Sequence, residues 1–257
     1  MTETKTRLIV EAAAPIARIT LSNSPLNVID ITMMDGLAAA LAQIEAQSSI
    51  SIVHIRGAGK CFSAGVDVAA HTPDRVEEML TKFHAAIRLL VASRKVTVAE
   101  VHGSCLGGGA ELAMVCDLVY TADDATWGFP EIQLGCFPPV AVTALAALIS
   151  PRRAAELILT GKTISGAEAH AIGLATRSLR KKALGGGVSD TLDRLAGLSA
   201  AALAATKRAI YAWDAIHFDK GLARAEKIYL DELMKTEDAR EGIRAFLEKR
   251  NPKWNNR

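Results

Sequence analysis

A change of pattern near residue 140 constrains this chain of 257 residues more than any single motif in it. Before that point, short alternating apolar runs and longer stretches at helical spacing follow one another; after it, the pattern is almost wholly helical. The alternation predicts strands over 8–12, 16–22, 51–56, 96–101 and 118–121. Between them it predicts a helix over about 32–47, where Met33, Leu37, Leu41 and Ile44 recur on one face, and another ending near 93. Thr72 followed by Pro73 reads as the N-cap of that second helix, with proline at its first position. Beyond 140 the helical stretches are 141–149, 151–159, 166–171, 199–213, 221–234 and 237–249. Arg180-Lys181-Lys182 and Gly185-Gly186-Gly187 read as a solvated loop between a core of residues 1–198 and a helical region of 199–257. The expected fold class is α/β.

Composition narrows the function. Hydrophobic residues are 50% and charged residues 23% of the chain, which is globular and excludes a disordered or fibrous protein. Lys and Arg number 30 against 28 Asp and Glu, too balanced for a nucleic-acid or membrane-surface partner. No apolar run reaches the ~18 residues a membrane helix needs, and Met1 to Arg7 carry no apolar stretch of a secretory leader. Cys61, Cys105, Cys116 and Cys136 form no C-x-x-C and no zinc spacing, so no metal is expected. Free thiols in a reducing, cytoplasmic compartment are the expectation.

Chemistry concentrates in two places. Gly107-Gly108-Gly109 follows a predicted strand and opens a helix, which allows close backbone approach and presents free N–H groups to an anion. The run fits neither a phosphate-binding P-loop nor a dinucleotide fingerprint. Glu111 lies within that helix among Ala110, Leu112 and Ala113, and Glu131 lies among Phe129, Pro130 and Ile132. A carboxylate in apolar company is costly unless paired, and two of them near a glycine-rich helix start suit general acid–base work.

Three ordered blocks resemble the crotonase (enoyl-CoA hydratase/isomerase) superfamily: Cys61-Phe62-Ser63-Ala64-Gly65-Val66-Asp67; His102-Gly103 through Gly107-Gly108-Gly109-Ala110-Glu111; and Gly128-Phe129-Pro130-Glu131 with Leu134-Gly135. The similarity runs to the ending Phe246-Leu247-Glu248-Lys249-Arg250. It implies a crotonase-like ββα spiral core with a C-terminal helical trimerisation region, and a homotrimer or dimer of trimers. It also implies a backbone oxyanion hole at Val66 and Gly108, and a water-adding pair at Glu111 and Glu131. Coenzyme A, here part of an acyl-CoA thioester substrate rather than a cofactor, would lie along Ala64, Val66, Asp67 and Val68, with Phe246 and Lys249 reaching it from a neighbouring subunit.

Where family members commonly carry Pro-Gly-x-Gly-Gly, this chain has Cys136-Phe137-Pro138-Pro139-Val140. That stiff apolar stretch, His71-Thr72-Pro73-Asp74 and the ending Trp254-Asn255-Asn256-Arg257 resemble cyclohexa-1,5-diene-1-carbonyl-CoA hydratases of anaerobic benzoyl-CoA degradation. The acyl pocket is then expected at Trp127, Cys136, Phe137, Pro138 and Pro139. The alternatives are a general short-chain enoyl-CoA hydratase, an enoyl-CoA isomerase, or a non-catalytic acyl-CoA-binding interaction protein on the same fold.

Overall fold

The computed structural model describes residues 7–211 and 214–254, the side chains of residues 214–217 excepted. Met1 to Thr6, Trp213 and Asn255 to Arg257, which figure in the expectations above, lie outside the described residues. Strands β1 (Leu8–Ala13) and β2 (Ile16–Leu21) precede helix α1 (Ile31–Ala46) and strand β3 (Ile52–Gly57). A 3-10 turn (Val68–His71) leads to α2 (Val76–Ala92), then β4 (Val96–Val101), β5 (Ser104–Leu106) and α3 (Gly108–Met114). Next come β6 (Leu118–Ala122), β7 (Thr126–Gly128), a 3-10 turn (Pro130–Leu134), α4 (Pro139–Ile149) and α5 (Pro151–Thr160). The chain continues through β8 (Thr163–Ser165), α6 (Gly166–Ala171), β9 (Arg177–Leu179) and α7 (Lys181–Ala196). It ends in α8 (Ala200–Tyr211), α9 (Asp214–Asp231), a 3-10 turn (Leu233–Lys235) and α10 (Glu237–Leu247).

Among the described residues the strands form two sheets, ordered β1-β2-β3-β4-β6-β9 and β5-β7-β8. In the larger sheet β1 and β2 are antiparallel and every later pairing is parallel. β3 and β4 are buried on both faces, so that even His54 and Thr97 within them are buried. α1 buries Met33, Met34, Leu37, Leu41 and Ile44 against α2 and the sheet. Each such fully buried side chain contributes roughly 1.5–3 kcal/mol.

Three expectations are corrected. Thr72 does not cap α2: its carbonyl accepts from Arg75 and Val76 N–H, and that turn delays the helix to Val76. The stretch from Lys181 through Gly187 is helical, because Leu184, Val188 and Leu192 form a buried stripe at i, i+4, i+8 that outweighs the glycines' propensity cost of ~1 kcal/mol each. The second half is not helical throughout, since β8 and β9 lie there, and β5 and β7 were also unforeseen. Apart from β9 these strands form the small sheet, and each is only three residues long, too short for a period of two to register.

The C-terminal helices pack back over the first half, α9 against α2 and α4, and α10 against both early 3-10 turns. α8 is anchored through Lys207, whose buried Nζ lies 2.7 Å from Asp117 Oδ2 and donates to the Lys95 carbonyl at 2.8 Å. Asp117 Oδ2 also accepts from Thr97 N and Oγ1 at 2.7 and 2.9 Å, which ties α8 to the sheet. Lys207→Met would leave that carboxylate buried without its cation, and the expected destabilisation is about 3 kcal/mol by urea unfolding. An unchanged midpoint would show that the pair contributes nothing.

Candidate active site

Two peptide N–H groups converge where the first glycine loop meets α3. Ile29 pairs with Val66 in a parallel bridge in which Ile29 N–H donates to the Gly65 carbonyl and Asp67 N–H to the Ile29 carbonyl. This pattern turns the Val66 N–H to the opposite side, toward the cavity that Val66 lines. Gly108 is the first residue of α3, so its N–H has no intrahelical partner. A Cβ on Gly108 would sit 2.6 Å from Val66 Cγ2 and 3.4 Å from Val66 N, so only glycine lets the two amides approach. Asn27 braces the loop from below: buried, it donates Nδ2 to the carbonyls of Ala58 and Cys61, each at 2.8 Å. Ser63 Oγ donates to the Asn27 carbonyl at 2.7 Å and accepts from Gly65 N at 3.1 Å.

The carboxylates flank these amides. Glu111 points out of α3 toward the start of α4, where its Oε1 accepts from Val140 N at 2.8 Å and Ala141 N at 3.0 Å. Pro139 occupies the first turn of α4 and has no N–H, so Glu111 satisfies the next two amides and sits at the positive end of that helix. Burial pushes the Glu111 carboxyl up to about 7, against the two N–H donors that favour its ionised form. Glu131, in the 3-10 turn after β7, is raised well above the usual carboxylate range, by burial first and by the charge of Glu111 second. Its Oε2 is buried with no hydrogen-bond partner, while Oε1 stands so close to Gly107 that a Cβ there would lie 2.6 Å from it. Gly107 has φ +49°, and its N–H donates to the Gly128 carbonyl at 2.9 Å, joining β5 to β7 and so Gly108 to Glu131.

Both amides and both carboxylates face one cavity of about 370 Å³. Ala64 and Val68 line it, as do Phe137, Pro138 and Pro139. Other sequence-selected residues lie elsewhere. Trp127 is fully buried in β7, its Nε1 donating to Thr121 Oγ1 at 2.9 Å, and stands outside the cavity wall. Cys136 is buried in the following turn, its thiol pushed up to about 11 by burial. Asp67 turns its Oδ1 to Ala69 N at 3.1 Å, fixing the 3-10 turn. Phe246 lines the cavity of its own chain from α10, while Lys249 is exposed just beyond that helix. No site role is expected from the sequence for Asn27, His71, His84 or Tyr229. The last three line the cavity, and His84 had a visible signal as a histidine on the apolar stripe Leu80, His84, Ile87.

Residues 11–257 match the family described as Enoyl-CoA hydratase/isomerase. The chain belongs to this family. A cyclohexa-1,5-dienecarbonyl-CoA hydratase of Thauera aromatica is 34% identical over 96% of each chain. A probable enoyl-CoA hydratase of Bacillus subtilis is 32% identical over 93% of this chain and 95% of that one. Among solved structures, an enoyl-CoA hydratase from Mycobacterium avium subsp. paratuberculosis superposes with a TM-score of 0.88 at 28% identity, covering 98% and 99% of the two chains.

The raised carboxyls make the site a source of instability. The folded protein holds protons on them where the unfolded chain has released them, so from about pH 4.5 to 7 the folded state binds more protons and stability falls as pH rises. Glu131→Gln removes part of that penalty. Its Tm is expected to exceed that of the parent at pH 8 by about 2–4 °C per kcal/mol recovered, and to match it more closely at pH 5. Thermal melts at both pH values check this; a lower Tm at pH 8 would contradict it.

Proposed function

We propose that the protein is a hydro-lyase that adds water to a conjugated acyl-CoA thioester, with cyclohexa-1,5-diene-1-carbonyl-CoA as substrate and 6-hydroxycyclohex-1-ene-1-carbonyl-CoA as product. The observation that carries the hydratase reading is the pair of buried carboxyls facing two free amides across one cavity. Coenzyme A would pass along Ala64, Val66 and Val68 and put the thioester oxygen between the Val66 and Gly108 N–H groups. Charge developing on that oxygen is worth roughly 3 kcal/mol of stabilisation per donor. Glu111, oriented by two N–H groups that favour its ionised form against burial, takes the proton of the attacking water once it is ionised. Glu131, held protonated by burial and by Glu111, orients that water and, for an acyclic acyl group, returns a proton to the α-carbon.

The ring is favoured by the stiff wall of Phe137, Pro138 and Pro139 and by the likeness to the Thauera aromatica protein. Tyr229 packs edge-on to Phe137 at 5.1 Å between centroids and thickens that wall. In the cyclic diene, hydroxide adds β to the carbonyl and the proton enters at the far end of the diene, a net 1,4-addition. General short-chain enoyl-CoA hydration is the second reading, favoured by the likeness to the Bacillus subtilis protein. A trimer or dimer of trimers accompanies either reading, supported by apolar side chains exposed on the C-terminal helices, Ile210 at 64% and Leu247 at 48% among them. We treat residues 1–198 as the core and 199–257 as the assembly region. A cytoplasmic location suits the four free cysteines.

Two measurements test the proposal. kcat/KM for the cyclic dienoyl-CoA is expected to exceed that for crotonyl-CoA, and equal or better use of crotonyl-CoA would leave only the general hydratase. Glu111→Gln and Glu131→Gln should each lower kcat by about 10²–10⁴-fold while folding, since an amide keeps the shape and cannot carry the proton. Near-parental turnover by either variant would remove that residue from the mechanism.

A further inference from the structure

The cavity is lined by a further polar side chain from an element other than those that carry the two glutamates. His84 lines it from α2, fully buried on the same stripe as Leu80 and Ile87. Its Nδ1 lies 2.7 Å from Glu226 Oε1. A carboxylate only accepts, so Nδ1 carries the hydrogen and Nε2 is left to act on something else. Nε2 is buried and has no hydrogen-bond partner. Glu226 comes from α9 and is clamped from the other side by Arg88, whose Nη2 donates to Oε1 and Oε2 at 2.9 and 3.0 Å. Arg88 is one turn beyond His84 and is itself steadied by Asp219, 3.0 Å from its Nε. Burial pushes the Glu226 carboxyl up, but the bonds from His84 and Arg88 outweigh it and hold the group ionised.

At His84 one nitrogen is oriented by a fixed carboxylate, and the other is buried and unpartnered in a residue that lines the cavity, the geometry of an oriented acid or base. The neighbouring candidates lack it. His71 bonds through Nδ1 to the Asp67 carbonyl, and burial holds it neutral. Burial keeps the Tyr229 hydroxyl well above its usual range, and no carboxylate bonds to it. Glu111 and Glu131 stand on α3 and the turn after β7, so His84 serves atoms that face α2 and α9 instead.

We propose that His84 is a second acid–base residue of this site, whose Nε2 delivers the proton to the acyl carbon facing α2 and α9, with Glu226 as its positioning residue. The assignment rests on the hydratase reading and supplies the acid that 1,4-addition to a cyclic diene requires. Glu111 accepts a proton from water as the new C–O bond forms at the β-carbon, and an electron pair moves onto the thioester oxygen. When that enolate collapses, the extended π pair takes the proton from Nε2–H of the imidazolium and leaves neutral imidazole. Solvent then returns the proton held on Glu111 to His84, so one water is consumed per turnover.

The test compares parent, His84→Gln and Glu226→Gln on cyclohexa-1,5-diene-1-carbonyl-CoA and crotonyl-CoA, with thermal melts to confirm folding. His84→Gln is expected to lose roughly 10²-fold or more in kcat on the cyclic thioester at nearly unchanged KM, and to lose far less on crotonyl-CoA. Glu226→Gln keeps His84 but removes the carboxylate that orients it, so it should lower kcat on the cyclic thioester at nearly unchanged KM and leave crotonyl-CoA within a few-fold of the parent. Unchanged turnover of the ring by His84→Gln, equal losses on both thioesters, or unchanged kcat on the ring in Glu226→Gln overturns the assignment while the hydratase reading stands. A parent that hydrates crotonyl-CoA but not the ring overturns both the ring substrate and the role given to His84.

Discussion

Carboxylates resist leaving water, and this fold buries two of them, with burial raising both and the charge of Glu111 raising Glu131 further. The contact on which the site depends is the one that makes this tolerable: Glu111 Oε1 against the first two free amides of α4. It joins positions 29 and 30 residues apart in the chain, satisfies helix-end donors that would otherwise be orphaned, and fixes the orientation of one carboxylate. Glu131 has no such support. Its unpartnered Oε2 makes it the group with most to gain from a bound molecule.

The small sheet exists to hold these groups in register. β5 delivers Gly107 and Gly108, β7 delivers Glu131, and the bond from Gly107 N to the Gly128 carbonyl sets one against the other. Around this centre the cavity is closed by elements far along the chain: α4 with its proline-rich start, α9 with Tyr229, and α10 with Phe246. The large sheet and α1 supply much of the apolar core against which this centre is set.

Much of this was legible in the residues. The strands of the large sheet as far as β6 showed because alternating or continuous apolar runs of five or six residues have only one economical use. Glu111 and Glu131 showed because a carboxylate among apolar neighbours is expensive without a purpose. The three-residue strands did not show, since their stability comes from partners distant in sequence rather than from any local period. α7 was hidden by its glycines, whose low helix propensity is a local quantity that a buried face overrules.

The chain by itself determined the α/β class, the position of the glycine turn, and the residue types available for acid–base chemistry, because periodicity and residue chemistry are local properties. Only the tertiary structure decided which groups meet. It closed Val66 onto Gly108, set Glu111 on the end of α4, turned Trp127 and Asp67 away from the cavity, and brought Glu226 142 residues along the chain to His84. Hydrogen bonds and desolvation act through space over a few ångströms, and no spacing in the sequence records that distance.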